Sequence, residues 1–259
     1  MKTPWLWARP SNTRDWSLDQ ARLPSAEFNG DLVTIRDIRN FQYRTETDYT
    51  PGYYDKTFDL RKLESAWFVV EPFSGAALAH TFVSFGFGGD DFVAISVEIR
   101  KEKGESFSPI KGMLRQYEIM YVIGDERDLI KLRTNFRDEG KGHTVYLYPM
   151  KTTRERMQAI FTSMLRRANE LREHPEFYNT ITNTCTTNLV KHVNQIAPRR
   201  ISWWNLGVFL PGYSDKLAYK LGLIETTLPF EQAREHFRIT DRARELKDDS
   251  EFSVKIRAR

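Results

Sequence analysis

The chain has 259 residues, 40% hydrophobic and 29% charged, an ordinary globular composition long enough to bury a sizeable core and unlike a disordered chain. Its 39 basic and 35 acidic residues leave a formal charge of +4, too small and too interspersed to mark a nucleic-acid footprint, although a weak attraction to anionic lipid or cell-wall polymer stays open. A single cysteine excludes an intramolecular disulfide and a cysteine-rich metal site, which leaves packing or reactivity as its use.

The opening MKTPWLWARPSNTRDW reaches arginine, proline, asparagine and aspartate before an apolar run of signal-peptide length builds up, so no secretory signal is expected there. No stretch approaches the roughly 18 uninterrupted apolar residues of a membrane span. From Thr3 to about Tyr54, aromatic, arginine and turn residues predominate. Within that region FNGDLVTIRDIRNFQYRT reads as a hairpin around Asn29-Gly30 followed by an alternating strand, an N-terminal β/aromatic cap on a main sheet. Whether this arginine-rich cap is a lid or a fixed brace is open at this point. Asp59 to Pro72 reads as a short helical turn feeding an apolar strand that Ser74-Gly75 breaks.

Ala76 to Arg100 alternates around Gly88-Gly89-Asp90-Asp91, the pattern of a hairpin with two core strands, His80 on the first and Glu98 on the second. A short helix follows over Ile110 to Gln116, then a buried strand YEIMYVIGD closed by a turn at Gly124-Asp125, and another strand from His143 to Met150. Thr152 to Glu173 repeats apolar residues at helical spacing. The loop PEFYNTITNT then leads into a helix with Asn183 or Thr184 as N-cap and Cys185 in its first turn. The tail carries the aromatic stretch SWWNLGVFLPGY, a charged helix from Phe230 to about Leu246, and a last dozen residues expected to fray. Composition divides the chain into a cap with the first strands over 1–72, a core over 73–200 and an aromatic segment with a helix over 201–259, expected to fold as one α+β unit.

A buried cysteine is commonly a small hydrophobe. At a helix N-terminus, however, unpaired N–H groups and the positive end of the macrodipole stabilise a thiolate, and Cys185 is ringed by polar neighbours. Its base would be a histidine. His174 and His236 sit in charged helical ends, His143 opens a strand, and His192 lies about two turns beyond Cys185, which leaves His80 on a core strand. Glu98 is placed to orient the imidazole as a third member, or else to pair with Arg100 or Arg115. Asn183, Thr184 and Thr186 around the thiol, Ser84 on the small, polar His80 strand, and Tyr117 and Arg115 are the candidate substrate or oxyanion contacts; a structural role is the competing reading for each. SFSP and YEIM are candidates to line an acyl pocket. With no histidines at i and i+4, and with GGDD and GDERD reading as turns, no metal is expected; phosphate-loop and dinucleotide fingerprints are absent, and no cofactor is expected.

With those residues placed, the sequence resembles the Lnb N-terminal periplasmic domain family of bacteria. The resemblance runs from RPSNTRDWSLDQARLP and DLVTIRDIRNFQYRTETDYTP through AHTFVSFGF, SVEIRKEKGESFSPIKGMLRQYE, YVIGDERDLIKLRTNFR and VYLYPM to FYNTITNTCTTNLV. It implies a permuted papain-like (NlpC/LRAT-like) fold, an antiparallel sheet packed against helices with the histidine strand before the cysteine helix, and a periplasmic location. It also implies acyl transfer through a cysteine thioester, because a branch of the family is associated with N-acylation of lipoproteins. The expected partners are a lipid or lipoprotein substrate and a membrane surface. Two alternatives stay open: a cysteine peptidase or amidase of the cell envelope, and a non-catalytic binding module of the same fold.

Overall fold

Alternating apolar residues build the sheet of the computed structural model, which describes residues 9–75, 77–106, 108–137, 144–197 and 199–258. Strand β1 (Ser25–Asn29) turns through Gly30, at φ +58°, into β2 (Leu32–Arg39), a two-residue loop with glycine where a hairpin needs positive φ. A small pair, β3 (Gln42–Tyr43) and β4 (Tyr49–Thr50), precedes β5 (Tyr53–Asp59), which lies along β2. The long strands β6 (Ser65–Ser74), β7 (Leu78–Gly86), β8 (Phe92–Arg100) and β9 (Glu118–Gly124) follow, with helix α1 (Pro109–Met113) before β9. Helix α2 (Glu126–Lys131) runs on as a π turn through Phe136, and β10 (Tyr146–Pro149) closes the sheet. The order is β1-β2-β9-β8-β7-β6-β10, antiparallel except where β2 meets β9 in one parallel pair, Arg39 with Gly124. A side chain at Gly124 would stand 2.9 Å from Leu129 and 3.1 Å from the Arg39 carbonyl, so glycine permits that junction. The class is α+β, with a mixed, mostly antiparallel sheet.

Helices cover both faces. Val83, Phe85, Ile95, Val97 and Tyr121 pack under α3 (Arg154–Glu173) and α4 (Cys185–Asn194). Phe82, Ala94, Met120 and Val122 point the other way, into a second core with Leu129 and Ile130 of α2 and with the C-terminal helices. Those later helices are α5 (Leu206–Phe209), α6 (Ser214–Lys220), α7 (Phe230–His236), α8 (Thr240–Glu245) and α9 (Phe252–Lys255). Among the described residues no helix is long and apolar enough to cross a membrane.

Three sequence expectations differ from the structure. GDERD starts a helix: the Asp125 carboxylate caps α2 by accepting the Arg127 amide at 2.9 Å. The charged helix expected over 230–246 is broken between Phe237 and Ile239, where the backbone pairs with the edge of β10, the Leu147 amide donating to Phe237 and the Ile239 amide to Val145, both at 2.9 Å. The tail expected to fray is tied down by Phe252 and Ile256, both fully buried. The cap behaves as a brace, because the buried Arg39 guanidinium grips Asp128 of α2 with two bonds of 2.9 Å. His143 and cap residues 3–8 lie outside the described residues.

Candidate active site around Cys185

Thr184, of the two capping candidates, begins α4. Its hydroxyl accepts the Thr187 amide at 3.1 Å while the Thr187 hydroxyl accepts the Thr184 amide at 2.7 Å, a reciprocal capping box. Cys185 is therefore the first helical residue, and its amide and that of Thr186 have no protein acceptor among the described residues. The helix tip meets β7 where β7 leaves β8. Pairing with β8 starts only at Phe82–Ser96, so His80 and Thr81 pair with β6 alone. A hydroxyl contact of 3.1 Å between Thr81 and Thr186 ties strand to helix, and Thr186 Oγ1 lies 3.8 Å from the Cys185 sulfur. Burial pushes the thiol up; hydrogen bonding and charge from the His80 imidazole, then the Thr81 amide and the Thr186 hydroxyl, pull it down, from the ordinary 9.0 to about 7.

His80 is oriented by a relay. Its Nε2 lies 2.7 Å from Ser96 Oγ, and Ser96 donates its one proton to Glu98 Oε1 at 2.9 Å. The Ser96 oxygen must then accept, so Nε2 carries the imidazole proton and Nδ1 is left as the basic nitrogen. Glu98 reaches the ring directly only at 3.8 Å. Its firm partner is Arg133, at 2.8 Å, in place of Arg100 or Arg115. Arg133 is itself buried and also holds Glu71 at 2.9 Å, and Glu71 sits opposite His80 on β6 and takes a second guanidinium, Arg137, at 3.1 Å. Burial raises the Glu98 acid, but Arg133, then His80, Arg39 and Arg137, outweigh it and hold it well below the usual carboxylate range. Glu71 is lowered against burial by Arg137, Arg133 and His80. The imidazole thus neighbours two ionised carboxylates that are themselves held by two arginines.

The other expected contacts are not gathered at the thiol. Ser84 is fully buried and spends its hydroxyl on Glu126, on the sheet face that carries α2. Tyr117 is also buried, its hydroxyl donating to the Ser106 carbonyl at 2.6 Å and accepting the Ser108 amide at 3.1 Å, which braces the loop into α1. The Asn183 side chain donates to the Phe177 carbonyl at 3.0 Å and accepts from Asn188 at 2.8 Å. With the exposed Arg115, Asn183 lines a depression of about 390 Å³ beside the loop that leads to Cys185. Phe107 of SFSP lies outside the described residues. His192 is confined between Tyr121 and Ser163, both at 2.7 Å; burial, then Arg167 and Lys191, push it down to about 4. Ser96, Arg133 and Glu71 are site residues that sequence reasoning did not single out. Ser96 alone left a signal, two residues before Glu98 and so on the same face of its strand.

A family model described as the Lnb N-terminal periplasmic domain matches residues 49–209, a span that holds His80, Ser96, Glu98, Arg133 and Cys185. Compared with curated proteins and with solved structures, the chain finds no match.

Proposed function

The chain belongs to the Lnb N-terminal periplasmic domain family, and from that premise we propose that it is a thiol acyltransferase of the cell envelope, carrying its acyl group as a thioester on Cys185. The observation that carries the reading is a helix-terminal thiol lowered to about 7 beside a histidine whose Nε2 proton is engaged by Ser96. The fold is read as a permuted papain-like one, because the histidine strand precedes the cysteine helix over a mostly antiparallel sheet.

His80 Nδ1 takes the thiol proton, and the sulfur attacks the carbonyl carbon of an ester. The amides of Cys185 and Thr186 receive the oxyanion. Collapse breaks the carbon–oxygen bond, and the alkoxide leaves with the proton from Nδ1. An amine then attacks the thioester, His80 removes its proton, and the carbon–sulfur bond breaks to return the thiolate. Through both steps Ser96 holds the ring in one orientation, and Glu98 supplies the negative charge that faces the imidazolium. A lipid or lipoprotein substrate suits the apolar surface beside the site, with Trp203, Leu206 and Phe209 exposed.

Intact-mass spectrometry tests the reading. Wild type incubated with phospholipid or a diacylated lipopeptide is expected to gain the mass of one acyl chain, labile to hydroxylamine, which Cys185→Ser and His80→Ala lack. Cleavage of an envelope peptide without such an adduct would move the protein to the amidases. A thiol that reacts like a free cysteine, with neither adduct nor cleavage, would leave a binding module.

A further inference from the structure

From the last turn of α4 to Ile224 the chain is charged mostly in one sense. Between Lys191 and Ile224 there are five cations, Lys191, Arg199, Arg200, Lys216 and Lys220, and one acid, Asp215, which is buried and hydrogen-bonded to Tyr148 at 3.0 Å. Among the described residues none of the five is ion-paired. Lys191 lies 5.5 Å from the centre of the Trp203 ring and Lys216 lies 5.8 Å from that of Phe230. In the same stretch Trp204 is 88% exposed, Leu206 60%, Phe209 50% and Trp203 45%.

That exposure is built into the packing. Asn205 caps α5 through the Gly207 amide at 3.0 Å, and Val208 is buried. A side chain at Gly207 would stand 2.7 Å from Leu217 and 2.8 Å from the Tyr213 carbonyl, so this edge of α5 presses on α6 and turns Leu206 and Phe209 outward. The segment is also anchored to the candidate site: α5 packs on α4, and the Gly212 amide donates to the Ala77 carbonyl at 2.9 Å, at the start of the His80 strand.

We propose that this face docks on an anionic lipid surface, with Trp203, Trp204, Leu206 and Phe209 entering the headgroup boundary and Arg199 and Arg200 pairing with lipid phosphates. Aromatic and aliphatic side chains beside unpaired cations are what an anionic bilayer complements. A second copy of the chain fits worse, because a two-fold contact through this face would bring like charges together. The inference stands on this surface alone and does not depend on the chemistry proposed for Cys185.

The test uses the full chain carrying Cys185→Ser, so that acylation plays no part, in sedimentation with phosphatidylcholine vesicles and with mixed phosphatidylglycerol–phosphatidylcholine vesicles. Binding is expected on the mixed vesicles and to fall with added salt. Arg199→Ala with Arg200→Ala is expected to weaken it about thirtyfold, near fivefold for each cation. Trp204→Ala with Phe209→Ala is expected to weaken it by about tenfold, with unchanged circular dichroism. No binding at low salt, equal binding to pure phosphatidylcholine, or binding indifferent to both variant pairs would overturn the proposal. So would self-association that the Trp204 and Phe209 substitutions abolish, which would assign the face to a second copy.

Discussion

Ser96 fixes which nitrogen of His80 carries the proton, because its own proton is spent on Glu98 and its oxygen can then only accept. Ser96→Ala frees the ring to take the other tautomer, and thioester formation is expected to slow on the order of 10²-fold with substrate affinity little changed; Ser96→Thr should keep much of the rate. Equal rates in wild type and Ser96→Ala would sink the relay. A second prediction follows from the thiol itself. With its folded value lowered to about 7 from an ordinary 9.0, iodoacetamide alkylation should rise to a plateau around a midpoint near pH 7, and His80→Ala should move that midpoint up. The same shift has a sign in stability: the unfolded chain binds more protons between pH 7 and 9, so the contribution is full above the unfolded value and is lost as pH falls through about 7. Relative to Cys185→Ser, wild type should thus gain stability on raising the pH from 7 to 9, which urea titrations at the two pH values would measure. Cys185 and His80 could be singled out as candidates from sequence because one thiol followed a capping signal and one histidine lay on a core strand. Ser96 had only its place on the Glu98 face as a signal, since its approach to His80 depends on where β7 leaves β8.

Among the elements, α4 carries the site by its first turn. Thr184→Ala removes one half of the capping box and leaves an amide unpaired, which is expected to cost about 1 kcal/mol in chemical unfolding and to raise the midpoint of Cys185 alkylation as the helix end loosens. A variant with unchanged stability and alkylation would mean that contacts to β7 hold the tip without the cap. The capping threonine and the long periodic α3 were legible, because both signals are local. Helix α2 was not: its opening Glu126, Arg127 and Asp128 read as a polar turn, and Arg133 in its continuation has no apolar pattern to betray burial. Its place is set by Glu71 and Glu98, which come from two different strands. Arg133→Met would leave Glu98 without its arginine and Glu71 with Arg137 alone, an expected loss of about 3–5 kcal/mol, to be measured by urea unfolding; a loss below about 1 kcal/mol would show that Arg137 and Arg39 suffice.

For the molecule as a whole, hairpins and amphipathic helices made the α+β class legible, but the closure of the second core was not, because it joins residues more than a hundred positions apart. Helix α9 returns to the face of α2, where the Arg257 guanidinium donates to Glu126 at 2.8 Å and stacks 3.8 Å from the centre of the Phe92 ring and 4.8 Å from that of Trp67. Glu126 also holds Ser84, which shares its face of β7 with His80, so the tail is tied to the His80 strand. Phe252 and Ile256 are fully buried beside this pair. Phe252→Ala is therefore expected to cost about 3–5 kcal/mol, as for other buried aromatics. Arg257→Met should cost a comparable amount by leaving a buried carboxylate without its cation, and adding Glu126→Gln should restore part of it, since the loss comes from the stranded charge. Urea unfolding followed by circular dichroism would measure all three. If the Arg257→Met and Glu126→Gln effects simply add, the ion pair is not the link between the tail and the sheet, and the packing of Phe252 and Ile256 alone closes the second core.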